Sequence, residues 1–206
     1  MIISIIGTGS MGMGLAQQLG KAGYKVILGS RDPIKASSKA HSINGEIKGG
    51  TIEEAITSGT IIIPALKYPL ILDVLKDFRE SLAKKIVLDI SNPVGVEIDK
   101  NTSTAEEIAK VIPTSVIVKG FNTVFSSILK TTPRFGDQNA NLFVCGDDKD
   151  SKSIIMEIGR VLGYDPIDIG PLKAARYLEA LTLFQIYLGE ELNNWNISFK
   201  LLMREL

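Results

Sequence analysis

Short β-branched and aliphatic runs alternate along the chain with stretches whose apolar positions recur every three or four residues. Ile2 to Ile6 is the first run, and Ser10 to Ala22 follows with Leu15, Ala16 and Leu19 at helical spacing. Lys25 to Leu28 is apolar again, and Pro33 to Ser42 predicts a helix capped by Asp32. The pattern continues as a strand over Gly45 to Lys48, a helix over Ile52 to Thr57 and a strand over Thr60 to Ala65. A helix over Leu70 to Leu82 comes next, then a strand over Ile86 to Ile90 that breaks at Asn92-Pro93. Ser103 to Val111 predicts a helix and Ser115 to Val118 a strand. Asn141 to Cys145 and Pro166 to Ile169 predict two more strands around a helix over Lys149 to Leu162, and Leu172 to Leu206 reads mostly as helix. Strands apolar on both faces, alternating with helices, predict an α/β fold with a doubly wound parallel sheet.

Composition adds limits. Hydrophobic residues make up 45% of the 206, enough for a full core, and 23 basic residues balance 23 acidic ones. Zero formal net charge gives no general pull toward nucleic acid or a membrane surface. The single cysteine, Cys145, excludes an internal disulfide framework and suits a reducing cytoplasm. Met1 leads into a strand-like run with no basic leader, and the longest apolar runs, such as Thr60 to Leu66, fall far short of a bilayer. A cytoplasmic protein with no nucleic-acid or membrane partner is therefore expected.

The chemistry concentrates after the first strand. Gly7-Thr8-Gly9-Ser10-Met11-Gly12 matches G-x-G-x-x-G between a strand and a helix, the context in which that spacing is informative. Gly7 permits the tight turn, Gly9 lets a pyrophosphate approach the backbone, and Gly12 lets helix and strand pack. The helix N-terminus then offers N–H groups and a partial positive charge to the phosphates. At the tip of the second strand an NAD site places an acid on the adenosine ribose. Here Ser30 and Arg31 stand there, with Lys35 one turn on, and Asp32 sits in a capping position. A guanidinium pairs with phosphate or stacks over adenine, so NADP(H) is expected over NAD(H). Residues 1–170 are then a dinucleotide-binding domain of Rossmann type, and 171–206 a C-terminal helical segment packed on it.

With these residues in view, the chain resembles the NADP oxidoreductases that work with the deazaflavin coenzyme F420. The resemblance starts in GTGSMGMGLAQQLGKAGYKVILGSRDP and continues through Asp89 to Gly95, Val118 to Leu129, Leu142 to Lys152 and Asp168 to Leu181. The cytosolic domain of the Steap metalloreductases is similar too, around GFNTV and FVCGDD. The resemblance implies that Thr8, Ser10 and Met11 line the pyrophosphate turn, and that Ser30, Arg31 and Lys35 hold the 2′-phosphate. It implies that Ala65, Leu66 and Lys67 border the ribose and nicotinamide, that Asn92 and Pro93 follow the fifth strand, and that Asn122 and Thr123 flank the nicotinamide. The implied activity is hydride transfer between NADP(H) and a small-molecule acceptor, coenzyme F420 first. Deazaflavin-reducing members carry a Pro–aromatic pair where this chain has Lys67-Tyr68, and His-Thr where it has Asn122-Thr123. The Asn-Thr form is nearer to the Steap-like members. Reduction of free flavin (FMN or FAD), of ferric or cupric ions through flavin, and a non-catalytic NADPH sensor are therefore carried as alternatives.

Hydride transfer needs two stacked rings more than an acid–base pair, so no catalytic residue is assigned. His41, the only histidine, falls on a surface helix, Cys145 reads as core, and no His/Cys cluster suits a metal. Asp147 to Asp150 reads as a helix N-terminus. Lys67 reads equally as an anchor for an acidic acceptor and as a solvated loop lysine. The apolar residues from Leu178 to Leu202 must cover something, either the parent sheet or a second copy; related reductases make dimers, and a homodimer is expected.

Overall fold

The central strands of the chain are apolar on both faces and most helices mainly on one, so the helices must sandwich a sheet. A computed structural model describes residues 1–204. The first half runs β1 (Ile2–Ile6), α1 (Ser10–Lys21), β2 (Lys25–Ser30), α2 (Pro33–His41), β3 (Ile47–Thr51), α3 (Ile52–Ser58), β4 (Ile61–Pro64) and α4 (Leu70–Asp77). The second half runs β5 (Ile86–Asp89), α5 (Thr104–Val111), β6 (Val116–Lys119), α6 (Ser126–Lys130), β7 (Arg134–Phe135) and β8 (Gln138–Asn139). It ends with β9 (Asn141–Gly146), α7 (Lys149–Val161), β10 (Asp165–Asp168), a 3₁₀ turn over Leu172–Ala174 and α8 (Ala175–Glu191).

The main sheet has the order β10-β9-β6-β5-β4-β1-β2-β3. Its six-strand part is wound outward from β1 to β3 and then back across β1 to β4, β5 and β6, the doubly wound arrangement that opens a ligand crevice where the order reverses. Registry brings three strand tips together there, because Ile6 pairs with Gly29 on one side and Pro64 on the other. Ile5 and Ile6 are fully buried neighbours that serve opposite faces. Ile5 belongs to the cluster that includes Leu15, Leu19, Ala36 and Ile155 of α1, α2 and α7. Ile6 belongs to the one that includes Ile56, Ile71, Ile108 and Leu178 of α3, α4, α5 and α8. Each such side chain contributes about 1.5–3 kcal/mol relative to exposure, so this double coverage holds the tip of β1 in place.

Some expectations need correction. The sheet is not wholly parallel: β9 runs antiparallel to β6, with Val118 opposite Gly146, and β10 follows β9. An apolar run shows that a strand is buried but not which way it points. Between β6 and β9 lie α6 and the β7–β8 hairpin, which the pattern missed because a five-residue helix and two-residue strands are shorter than any readable period. The helix expected to reach Leu82 ends at Asp77; turns follow, Lys84 adopts φ 61°, and Leu82 still reaches the core. The helix expected from Leu172 onward is α8 alone, which closes at Glu191. Beyond it the chain is irregular to residue 204 and lies against β9, where Asn141 N–H donates to Phe199 O at 3.0 Å. Positions 205–206 of that expected helix lie outside the described residues.

Candidate functional site

The glycine turn shows three different demands on three glycines. Gly7 has φ +113°, and a Cβ there would meet Ala65 O at 2.6 Å. A Cβ on Gly12 would meet Gly7 O at 2.3 Å, so this glycine serves packing of α1 against the turn. Gly9 has nothing within 4 Å of a Cβ position and is open to an incoming group. Helix α1 starts directly after it, with no side-chain cap and no acid in its first turn. Met13 N–H is bonded to Gly9 O at 2.9 Å, and the N–H groups before it have no helical partner to bond. Backbone donors and the positive end of the helix thus face open space, as a pyrophosphate requires.

On one side of this turn lies a cavity of about 410 Å³, walled by Gly7, Thr8, Ser30, Arg31, Lys35 and Leu66 among others. Asp32 does not compete for a ligand here, because its Oδ1 accepts Lys35 N–H at 2.9 Å as the cap of α2. Arg31 and Lys35 are exposed and form no ion pair among the described residues. Two cations free of ion pairs at the tip of β2 border this cavity, a charge arrangement suited to an anion.

On the other side lies a cavity of about 480 Å³, bordered by Ser10, Met11, Ala65, Lys67, Ser91 and Asn92 among others. Leu66 borders both cavities, which adjoin the glycine turn through Gly7 and Thr8 in the first and Gly9 and Ser10 in the second. Lys67 is exposed at the rim, and burial with nearby Glu107 and Glu179 pushes the Tyr68 phenol up, against a smaller pull from Lys110.

Asn122, Thr123 and Pro93 stand behind this wall, all buried. Asn122 Nδ2 donates to Asn92 Oδ1 at 2.9 Å, and Asn92 Nδ2 donates to Asn122 O at 2.9 Å. Asn122 Nδ2 also reaches Leu178 O and Thr182 Oγ1 of α8, both at 3.1 Å. Asn122 Oδ1 is buried with no partner among the described residues. The open face at Gly9 and the Arg31 and Lys35 cations, free of ion pairs, fit NADP(H).

Other residues were not visible in the sequence. Lys39 of α2 reaches across to the turn, and its Nζ donates to Thr8 O at 2.6 Å. Lys119, Asp89 and Glu179 form a buried charged cluster behind Ser91. A signal for part of it existed, since Asp89 and Lys119 are charges that end adjacent apolar strands and pair in register. His41 is exposed, its Nδ1 2.7 Å from Ser37 O of its own helix. Burial pushes the Cys145 thiol up to about 12, as for a core residue rather than a nucleophile. Asp148 caps α7 through Ser151 N–H, and Asp147 accepts Leu172 N–H at 2.9 Å, so that acidic group is spent on the fold. Among the described residues no helix is long and apolar enough to cross a membrane, and no group of His, Cys, Asp and Glu is arranged to hold a metal.

Comparison with known proteins agrees with this geometry. Residues 2–93 match the family described as NADP oxidoreductase coenzyme F420-dependent. The chain is 32% identical over 202 residues to F420-dependent NADP reductase of Methanocaldococcus jannaschii, covering 88% of this chain and 89% of that protein. It is 32% identical over 182 residues to Metalloreductase STEAP3 of Rattus norvegicus, covering 88% of this chain but only 36% of that protein's length. The crystal structure of a candidate F420-dependent NADP-reductase from Arthrobacter sp. FB24 superposes with a TM-score of 0.88 at 26% identity, covering 98% of this chain and 99% of that one. A doubly wound sheet, cavities adjoining its glycine turn and an identity held over nearly the full length of a reductase agree: this chain belongs to the coenzyme F420-dependent NADP oxidoreductase family.

Proposed function

We propose that the chain binds NADPH along one groove made by the two cavities and passes a hydride between its nicotinamide and a deazaflavin or flavin-like acceptor, coenzyme F420 first. One observation carries this reading: an anion site with unpaired cations and an open ring-sized cavity lie on the two sides of a single glycine turn. In this reading Ser30, Arg31 and Lys35 hold the 2′-phosphate, and the N–H groups at the start of α1 hold the pyrophosphate. Ala65, Leu66 and Asn92 shape the wall around the reacting ring. NADPH supplies the hydride, and the chain supplies orientation and exclusion of water. Lys67 at the rim of the second cavity suits an acceptor that carries phosphate or carboxylate.

Mixing the protein with NADPH and oxidised F420, beside a second cuvette with FMN, tests the acceptor. Loss of NADPH absorbance together with bleaching of F420 is expected. Turnover with FMN alone moves the protein to flavin reduction, the second reading, which the identity to a metalloreductase favours. Binding of NADPH with no turnover in either cuvette points to a sensor. The lone buried cysteine agrees with a reducing, cytoplasmic setting.

A homodimer is part of the same reading. Helix α8 is inverted: it buries Glu179, Thr182 and Gln185 and exposes Tyr177, Leu183, Phe184 and Tyr187. The only charge between Tyr177 and Leu188 is the buried Glu179, so the outer face is uncharged and suits the same face of a second copy. Sedimentation should give twice 22.3 kDa for the wild type and a single chain for Leu183→Glu. A wild type that sediments as a monomer removes the dimer.

A further inference from the structure

We propose that Lys119 is the positioning residue for the nicotinamide end of the groove, acting through Ser91 and Asn92; this rests on the cofactor reading above. Its side chain is fully buried, a rare place for lysine. The ammonium donates to Asp89 Oδ2 at 2.6 Å, to Ser91 O at 2.9 Å and to Thr104 Oγ1 at 2.9 Å, and lies 2.9 Å from Glu179 Oε1. Asp89 Oδ1 in turn accepts both Ser91 N–H at 2.8 Å and Ser91 Oγ–H at 2.6 Å. Ser91 is thus held at its nitrogen, its hydroxyl and its carbonyl by one ion pair.

The hold extends in both directions. Forward along the chain, Asn92 exchanges two hydrogen bonds with Asn122, and Ser91 and Asn92 both border the second cavity. Backward, Glu179 of α8 accepts Thr104 N–H at 2.9 Å and Thr104 Oγ–H at 2.6 Å, which ties the start of α5 and the middle of α8 to the same ammonium. Burial works to lower the Lys119 ammonium, but Asp89 and Glu179 beside it outweigh that and hold it above its usual value. A buried ion cluster is weak as a source of stability, since apolar residues of like volume serve about as well. What this one does that apolar packing would not is fix three polar atoms of a loop residue bordering the cavity.

The test compares two ligands by calorimetry. NADPH fills both halves of the groove, whereas 2′,5′-ADP fills only the adenosine half. Lys119→Met combined with Glu179→Gln removes the ammonium and one of its two carboxylates and leaves Asp89 its two bonds from Ser91. This variant should lose about tenfold in NADPH affinity while 2′,5′-ADP binds as before, and kcat should fall while KM for NADPH rises. Thr104→Val, which keeps the ion pair and the volume, should shift NADPH the same way by less, and Thr104→Ser should restore it; this pair keeps the test open if the double variant does not fold. Equal losses for the two ligands, or unchanged NADPH affinity in the folded variants, overturn the positioning role. A wild type that binds neither ligand overturns the cofactor reading and this role with it.

Discussion

Replacing Gly9 by aspartate is expected to abolish binding of NADPH and NADH alike, by at least about a hundredfold, while the fold is kept or slightly strengthened. The two effects have opposite signs for separate reasons. Gly9 is the N-cap of α1 with φ −77° and ψ −176°, extended backbone that any residue adopts. A Cβ there meets nothing within 4 Å. Aspartate is among the best N-caps and adds stability of up to a few tenths of a kcal/mol over glycine at such a site. The same carboxylate would occupy the space and take the N–H groups that a pyrophosphate needs, and it would repel the phosphates. Gly12→Val is the contrasting case: its Cβ would sit 2.3 Å from Gly7 O, so the turn itself must break and the melting temperature should fall. Titration and thermal melting of the two variants separate a ligand site from a turn that only favours glycine. Nucleotide binding retained by a folded Gly9→Asp protein would falsify the pyrophosphate assignment.

Replacing Arg31 by alanine should weaken NADPH by about ten- to a hundredfold and leave NADH within about twofold, the scale of one charge-assisted hydrogen bond to phosphate. The expected asymmetry follows from where the charge stands. Arg31 is exposed at the tip of β2, has no acidic partner among the described residues, and borders the cavity on the adenosine side of the turn. The nearest carboxylate in sequence, Asp32, accepts Lys35 N–H and forms no ion pair with Arg31. Lys35→Ala should act in the same direction with a smaller effect, because an ammonium on a flexible stem makes one contact where a guanidinium makes two. An equal loss for NADPH and NADH in Arg31→Ala would place the guanidinium over the adenine instead of on the phosphate. Raised salt should weaken NADPH more than NADH for the same reason, since the contact is exposed and screened.

Lys39 adds a condition to both experiments. Its ammonium lies on Thr8 O from the next turn of α2 after Lys35, so α2 presents positive charge to the glycine turn as well as to the tip of β2. Asp32 is what fixes that presentation. By capping α2 it sets the first turn of the helix and therefore the direction in which Lys35 and Lys39 project.

The parts of the site that are contiguous in the chain are legible in the amino-acid sequence itself. The strand, glycine turn, helix and second strand lie within the first 31 residues, and their geometry follows from local dihedrals, helix spacing and one short crossover. The cap at Asp32 and the preference implied by Ser30 and Arg31 are equally local. The winding of β1 to β6 is readable too, since alternating strands and helices admit few unknotted, right-handed solutions. The direction of β9 is not, because burial on both faces leaves no mark of orientation. Nor is the polarity of α8, which carries its polar residues inward to meet Asn122 and Lys119 and its aromatic residues outward. Asp89, Lys119 and Glu179 come together across separations of 30 and 60 residues or more, and Asn92 and Asn122 across 30. Such contacts depend on strand registry and on how α8 lies across the strand ends, and those are set by the packing of the whole sheet rather than by any local pattern.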